Sequence, residues 1–357
     1  MANSSLKPVR KEPWLAVNLS MFFPGIGQIY AGRLFKGIAW IIVQASLIIV
    51  TAWSLFSPDG QTGTGLWGLL GIIIAYGVNI FDAHRTVYKL RQDKTLEKIP
   101  RKVKNPWFAV SVSRVLPGLG QLYNSQVILG VSFLAVFLIC LRLKDFFPGL
   151  FIIPPLITAL ATYHVYHNFP NLNSQYRHHY RSLVAGIIGL IFACGIISNS
   201  FPDWLQTQVT MFGIPSKSMV PTLQIGDRVL VRLSSNYVPD TGDIIVFNTP
   251  DEVRQIDPKA GDYFIKRVIG KPGDIIAVEQ GQVYLNGFPL PESYIAEPSD
   301  YSIESFKVPQ KQYFVLGDNR NNSLDSHAWG FLSQSAIIGQ AYKVAWPLDR
   351  VKSLMLR

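Results

Sequence analysis

Apolar residues gather in five long runs over the first two hundred positions, at about 35–56, 66–83, 128–143, 146–163 and 183–201. A helix needs about 20 such residues to cross the hydrocarbon core of a bilayer, so each run predicts a transmembrane span, 128–143 being short. Beyond residue 201 the period changes. Stretches such as "RVLVRL", "DIIVF", "YFIKRVIG", "DIIAVE", "QVYLNG" and "QYFVLG" are separated by Gly, Pro, Asp and Asn, which predicts short strands. With about 155 residues, this second part is long enough to bury a core of its own.

The first part also repeats itself. "FPGIGQIYAGRLFKGI" at 23–38 returns as "LPGLGQLYNSQVILGV" at 116–131, an offset of 93 residues, and two apolar runs follow each copy. Its paired glycines do not make a nucleotide loop, because no strand precedes them and an apolar helix follows; close helix packing is the reading they support. The pattern resembles short hairpin domains of small bacterial membrane proteins. Four regions result: 1–105 with the first repeat and a basic loop, 106–181 with the second repeat, a last anchor at 182–201, and 202–357.

Charge orients this arrangement. The 18 Lys and Arg before residue 201 face 6 Asp and Glu, against 15 and 17 after it, so the net charge of +10 sits entirely in the membrane part. Basic residues there lie in short loops, where they set orientation across the bilayer, so no nucleic-acid partner is expected. Eight fall in 84–105, and Arg177 and Arg181 in 164–181, so both loops are expected on the cytoplasmic side. An even number of crossings must separate them. The Pro-Gly-x-Gly-Gln-x-Tyr segments are therefore taken as re-entrant or interfacial, with five spans, a cytoplasmic N-terminus and 202–357 outside. Arg142 and Lys144 then fall outside, against the rule. Lys7, Arg10 and Lys11 precede the first apolar segment without a small-residue cleavage site after it, so that segment is expected to be retained.

Composition narrows the chemistry of 202–357. Cys140 and Cys194 both lie in apolar runs, and the only histidine of the second part is His327. No H-E-x-x-H is present, and "HVYH" at 164–167 falls on the cytoplasmic side, so neither a metal nor another cofactor is expected. "DTG" at 240–242 matches an aspartic-protease loop, but one copy cannot form the shared-proton pair, and Asp240 reads as part of a turn. Serine with lysine remains. In an extended chain Ser216 and Ser218 point the same way, between Pro215 and Pro221. One hydroxyl can attack while the other donates to an oxyanion, which acyl transfer requires. In "DYFIKRVIGKPGD" strand alternation puts Lys266 on the side of Phe264 and Val268. An apolar face there desolvates the amine, which a general base at neutral pH needs. By itself the first segment also reads as a linker, and the lysine as one at a strand edge, its head in water.

Together, "PSKSMVPTLQIGD", "DYFIKRVIGKPGD" and "VLGDNRNNSLDSHAWGF", in that order beyond a terminal span, closely resemble type I signal peptidases, the membrane-bound Ser/Lys endopeptidases of the secretory pathway. "GDIIVF", "VYLNG" and "WPLDR" add to the likeness, which covers 202–357 and the preceding span; residues 1–180 are extra relative to typical members. The resemblance implies a multi-span α-helical membrane domain followed by a mainly-β extracytoplasmic catalytic domain of signal-peptidase type. It implies Ser218 as nucleophile, Lys266 as general base, Ser216 as oxyanion donor beside the Ser218 backbone N–H, and Ser323 as the group orienting the lysine amine. Asp318 and Asp325 are expected to hold the base strand, by pairing with Arg267, and His327 to stand where some members have arginine, without a catalytic role. Asn319, Arg320 and Asn322 read equally as a polar turn. The implied partners are secretory precursors with small residues at the cleavage site, and the lipid bilayer of a bacterial cell or thylakoid. Two other readings stay open: a Ser/Lys protease that cuts itself or one regulatory partner, and a scaffold whose outer domain has lost activity.

Overall fold

The computed structural model describes residues 11–90, 104–144, 146–170, 179–234 and 236–355. Most of the basic loop at 84–105, and Arg177, lie outside the described residues. Contacts divide the chain into two compact units, Met1–Ile49 with Gly68–Asp203, and Val50–Trp67 with Trp204–Arg357.

The first unit is helical. In chain order it holds α1 (Pro13–Ser20), α2 (Ile26–Tyr30), most of α3 (Leu34–Phe56) and of α4 (Thr62–Leu90), α5 (Pro106–Val115), α6 (Leu119–Tyr123), α7 (Val127–Leu143), α8 (Ile153–His167) and most of α9 (Arg181–Gln208). By length and composition, α3, α4, α9 and the Gly149–His167 helical segment can cross a membrane; α7 is apolar but has 17 residues, which spans roughly 25 Å. The repeated Pro-Gly-x-Gly-Gln-x-Tyr segments form the breaks α1–α2 and α5–α6, whose helices of 5 to 10 residues are too short to cross. α9 runs through Pro202 to Gln208, seven residues beyond the predicted end of its apolar run; a proline costs the helix one hydrogen bond there without ending it.

The breaks of the two repeats are built alike at matched positions 93 residues apart. Gly25 and Gly118 open α2 and α6 with φ of 100° and 103°. A Cβ on either would lie 2.2 Å from a backbone carbonyl oxygen, of Gly37 and Gly130 respectively. Glycine is thus required twice over, by backbone hand and by close approach. The Ser20 hydroxyl accepts from the Gly27 N–H at 3.0 Å, and the Ser113 hydroxyl from the Gly120 N–H at 3.1 Å. Gln28 donates to the Asn79 carbonyl and Gln121 to the Ala161 carbonyl, tying each break to the second helix of its own hairpin. The copies meet through their own equivalents: Asn18 donates to the Ser111 hydroxyl at 2.7 Å.

The second unit is β. Its eight-stranded sheet runs β1 (Val209–Gly213), β2 (Arg228–Leu233), β11 (Ile337–Trp346), β3 (Ile244–Asn248), β4 (Tyr263–Gly270), β9 (Gln312–Leu316), β10 (Leu332–Ser333), with β12 (Lys352–Ser353) beside β11. A four-stranded sheet orders as β7 (Phe288–Pro289), β6 (Gln282–Leu285), β5 (Ile275–Glu279), β8 (Ile303–Lys307). Short helices α10 (Asp251–Ile256) and α11 (Ser326–Trp329) complete it. All pairings are antiparallel. One core packs Met219, Leu223, Val229, Val231, Ile244 and Val246, and another packs Ile245, Phe247, Val268, Val315 and Trp329. β4 lies centrally, Lys266 opposite Ile245 of β3 and Arg267 opposite Leu316 of β9. "DTG" forms the turn into β3: the Asp243 N–H donates to the Asp240 carbonyl at 3.0 Å, and Gly242 has φ of 95°.

Gly118→Ala is expected to destabilise the helical unit by about 2 kcal/mol or more, because the new Cβ meets backbone that has nowhere to go. Gly186→Ala on α9, where a Cβ meets nothing within 4 Å, is expected to change it by about 1 kcal/mol at most. Thermal unfolding of both variants in the same detergent separates them.

Candidate active site

Residues 216–223 form a turn rather than the extended segment that strand alternation suggested. The Val220 N–H donates to the Lys217 carbonyl at 3.1 Å, and the Leu223 N–H to the Met219 carbonyl at 2.8 Å. Two apolar side chains of this turn, Met219 and Leu223, are fully enclosed, which pins it to the sheet. The serines still converge, their hydroxyl oxygens 3.2 Å apart. Ser218 is buried while Ser216 and Lys217 are exposed, so one hydroxyl faces inward and the other the surface.

Lys266 reaches the same point from β4. Its ammonium nitrogen lies 2.8 Å from Ser218 Oγ and 3.2 Å from the Ile265 carbonyl oxygen. The side chain is 2% exposed, and the Phe264 ring lies 5.0 Å from Nζ. Burial lowers the amine from 10.5 to about 8, although the charges of Asp325 and Asp318 pull it upward. Desolvation outweighs both carboxylates, and the amine is neutral in roughly one molecule in ten at pH 7.

The third segment supports both. The Asn319 N–H donates to the Ser218 carbonyl at 3.1 Å, and the Asn319 side chain to the Lys217 carbonyl at 3.1 Å. A Cβ at 317 would fall 2.4 Å from the Ser218 carbonyl oxygen and 2.2 Å from Ser323 Oγ, so only glycine lets the three chains meet. Asp318 takes a two-pronged bond from Arg267 at 2.8 and 2.7 Å, with both side chains enclosed. Arg267 also donates to the Gly242 carbonyl, and the Tyr294 ring lies 3.9 Å from its guanidinium carbon. Asp325 accepts from the Gly317 N–H at 2.8 Å and starts α11 by accepting from the His327 N–H. It does not pair with Arg267. His327 meets it at 2.7 Å, stacks on Tyr301, and is raised in pKa by that carboxylate.

Of the four catalytic candidates, Ser216, Ser218 and Lys266 share one cluster. Ser323 is close to Gly317, but its hydroxyl is enclosed without a hydrogen-bond partner. The sequence gives no local sign of the Arg320–Glu292 pair, which is almost fully enclosed. Arg320 also donates to the Gly317 carbonyl at 3.2 Å. Glu292 belongs to a loop 28 residues upstream, which a motif reading of either segment treats as separate polar turns.

The family described as signal peptidase, peptidase S26, matches residues 187–346. "Signal peptidase I" of Leptolyngbya laminosa is 48% identical over 143 residues, 40% of this chain and 70% of that protein. The chain belongs to the signal peptidase family. "Probable signal peptidase I-2" of Synechocystis is 50% identical over 140 residues, 39% of this chain and 63% of that protein. "Thylakoidal processing peptidase 1, chloroplastic" of Arabidopsis thaliana is 39% identical over 143 residues, 39% of this chain and 42% of that protein. The family match ends on β11 and begins on α9, so it takes in all three segments of the cluster and excludes both repeats.

Two stability effects follow. Lys266→Met is expected to raise stability by about 3 kcal/mol at pH 7, because the unfolded lysine binds a proton that folding must desolvate or release. The folded value lies below the unfolded one, so the gain is full below pH 8 and disappears as pH rises to 10.5. Arg267→Met, which strands the Asp318 carboxylate, is expected to cost about 3–5 kcal/mol. Thermal melts of the full chain at several pH values check both.

Proposed function

We propose that this chain is a membrane-bound serine endopeptidase that removes N-terminal signal peptides from secretory precursors, with Ser218 and Lys266 as its catalytic dyad. The observation that carries this reading is the 2.8 Å contact between an enclosed lysine amine and a serine hydroxyl. A hydroxyl attacks poorly until a base takes its proton, and an amine acts as that base only when neutral.

In the proposed reaction the Ser218 oxygen attacks the scissile carbonyl carbon while its proton passes to Lys266 Nζ. The oxyanion accepts hydrogen bonds from the Ser216 hydroxyl and the Ser218 backbone N–H. The protonated amine then gives its proton to the leaving amine of the mature protein. Water, deprotonated by the same lysine, attacks the acyl-enzyme and frees the signal peptide. Ser323, enclosed and unbonded at rest, turns to the amine when substrate arrives; a hydroxyl without a partner in that setting costs about 1–3 kcal/mol until it finds one.

The precursor presents its cleavage site as an extended strand that adds to the protease's own sheet. Selection of small residues beside the cut follows from the family. A site at the outer face of a bacterial cell or thylakoid membrane is proposed on three grounds: four helices long and apolar enough to cross among the described residues with a fifth, shorter apolar one, the eight basic residues of 84–105, which by charge belong on the cytoplasmic side, and serines eight and ten residues beyond the end of α9. The cyanobacterial and thylakoidal relatives support the same setting.

Ser218→Ala and Lys266→Ala are each expected to lower cleavage of a model precursor at least about a thousandfold, with the cut position read by mass spectrometry. Wild-type rates in either variant contradict the dyad, and a chain that cuts itself but not the precursor contradicts the substrate. Activity requires the unprotonated amine, so kcat/KM is expected to rise with pH to a plateau with a midpoint of about 8. Ser323→Ala is expected to reduce kcat roughly tenfold and to move that midpoint.

A further inference from the structure

The two repeats differ sharply at one place that the proposed peptidase chemistry does not use. Where α2 turns into α3, beside the last turns of α4, a cavity of about 610 Å³ is lined by Arg33, Lys36 and Lys89 together with Leu34, Phe35 and Leu90. All three apolar side chains stand open, Phe35 at 88% exposure. Lys36 is held by Asp82 at 2.6 Å and by Thr86 at 3.1 Å. Asp82 also accepts from Gln28 and Trp40, so its charge is largely committed within the helix hairpin. Arg33 and Lys89 have no carboxylate partner among the described residues. The site therefore carries a surplus of about two positive charges over a greasy wall.

The second repeat serves as an internal control. Shifted by 93 residues, Arg33 becomes Gln126 and Lys36 becomes Leu129, while the Gly, Gln and Ser frame is kept. The turn forms there all the same, with the Gln121 side chain on the Ala161 carbonyl. Matching the two glutamine contacts aligns Asn79 with Ala161, and so Asp82 with His164. Even Lys11, whose Nζ would lie 3.1 Å from a Cβ at Gly32, has a counterpart in Lys104: each sits about 6 Å over its own tyrosine, Tyr30 or Tyr123. Lys11 and Lys104 thus belong to the shared scaffold, and Arg33, Lys36 and Asp82 do not. Orientation of the hairpin needs charge near the helix ends but no cavity. Here the charges converge on one.

We infer that this cavity is a binding site for a membrane lipid with an anionic phosphodiester headgroup. The headgroup lies among Arg33, Lys36 and Lys89 while an acyl chain runs along Leu34, Phe35 and Leu90. Basic pockets between helix ends at the cytoplasmic face take such headgroups by charge and hydrogen bonding, and an exposed phenylalanine beside them matches the acyl layer and not water. The inference rests on the reading that α3 and α4 span the bilayer.

The test uses the full chain, delipidated in neutral detergent, and its double variant Arg33→Gln/Lys36→Leu, which installs the residues of the second repeat and so keeps a turn known to form. Native mass spectrometry with phosphatidylglycerol or phosphatidylcholine is expected to show a phosphatidylglycerol adduct on the wild type. That adduct is expected to fall roughly tenfold or more in the variant, to fall also in Lys89→Gln, and to survive an excess of inorganic phosphate. Equal adducts in wild type and variant overturn the site. Displacement by phosphate overturns the lipid in favour of a free anion. Flotation with phosphatidylcholine vesicles separates the two levels: if neither protein floats, the membrane reading fails as well, and if both float without a phosphatidylglycerol preference, only the lipid site fails.

Discussion

Everything in the candidate active site depends on keeping one lysine amine out of water. Lys266 sits in the middle of an eight-stranded sheet with Phe264 beside it, and no carboxylate bonds directly to its nitrogen. Asp318 and Asp325 are near enough to favour the charged form, yet burial prevails. The site tolerates them because each carboxylate is already engaged, Asp318 by Arg267 and Asp325 by the Gly317 N–H and His327. An ion pair that is satisfied and enclosed spends its field on its own partner, which leaves the neighbouring amine free to be neutral.

The stretch from Gly317 to Asp325 is the hub through which the other parts are held. Its backbone contacts Ser218 at residue 319, its glycine admits Ser218 and Ser323 side by side, and its two aspartates anchor β4 and α11. Arg320 extends this frame to Glu292 and so to the loop that follows β7. The Ser218 hydroxyl, the Lys266 amine and the groups around them thus come from three separated chain segments, of which only the one with Lys266 is a strand. The strand holds the amine, while the turn is held by its buried Met219 and Leu223 and by the Asn319 N–H on the Ser218 carbonyl.

Much of this was legible in the sequence. The apolar runs at 35–56 and 128–143 became helices within one residue of their predicted ends, 146–163 became helical from 148 to 167, the helices on 66–83 and 183–201 run seven residues past their predicted ends, and all six quoted β stretches became strands. The repeat with its glycines was readable because backbone hand and close approach leave no other residue type possible. What escaped depends on distant partners. β11 carries Gly339, Gln340 and Lys343 inside an otherwise strand-like run, and Lys343 is fully enclosed, its ammonium donating to the carbonyls of Ser54 and Leu55 from far upstream. Alternation correctly placed Lys266 beside Phe264, but it gave the wrong reason for the meeting of Ser216 and Ser218, which a turn brings together. Ser323 was named from the family's pattern, and its hydroxyl makes no bond at rest. Arg320 read as a turn residue because its partner Glu292 lies in another loop.

The account's central claim is that the Lys266 amine titrates far below an ordinary lysine while the protein is folded. The most direct measurement is a nuclear magnetic resonance titration of isotope-labelled lysine side chains in the full chain, with the Lys266 signal assigned by its loss in Lys266→Arg. A midpoint of about 8 is predicted. A midpoint near the ordinary 10.5 contradicts the account, since a lysine that stays charged through neutral pH cannot take a proton from Ser218.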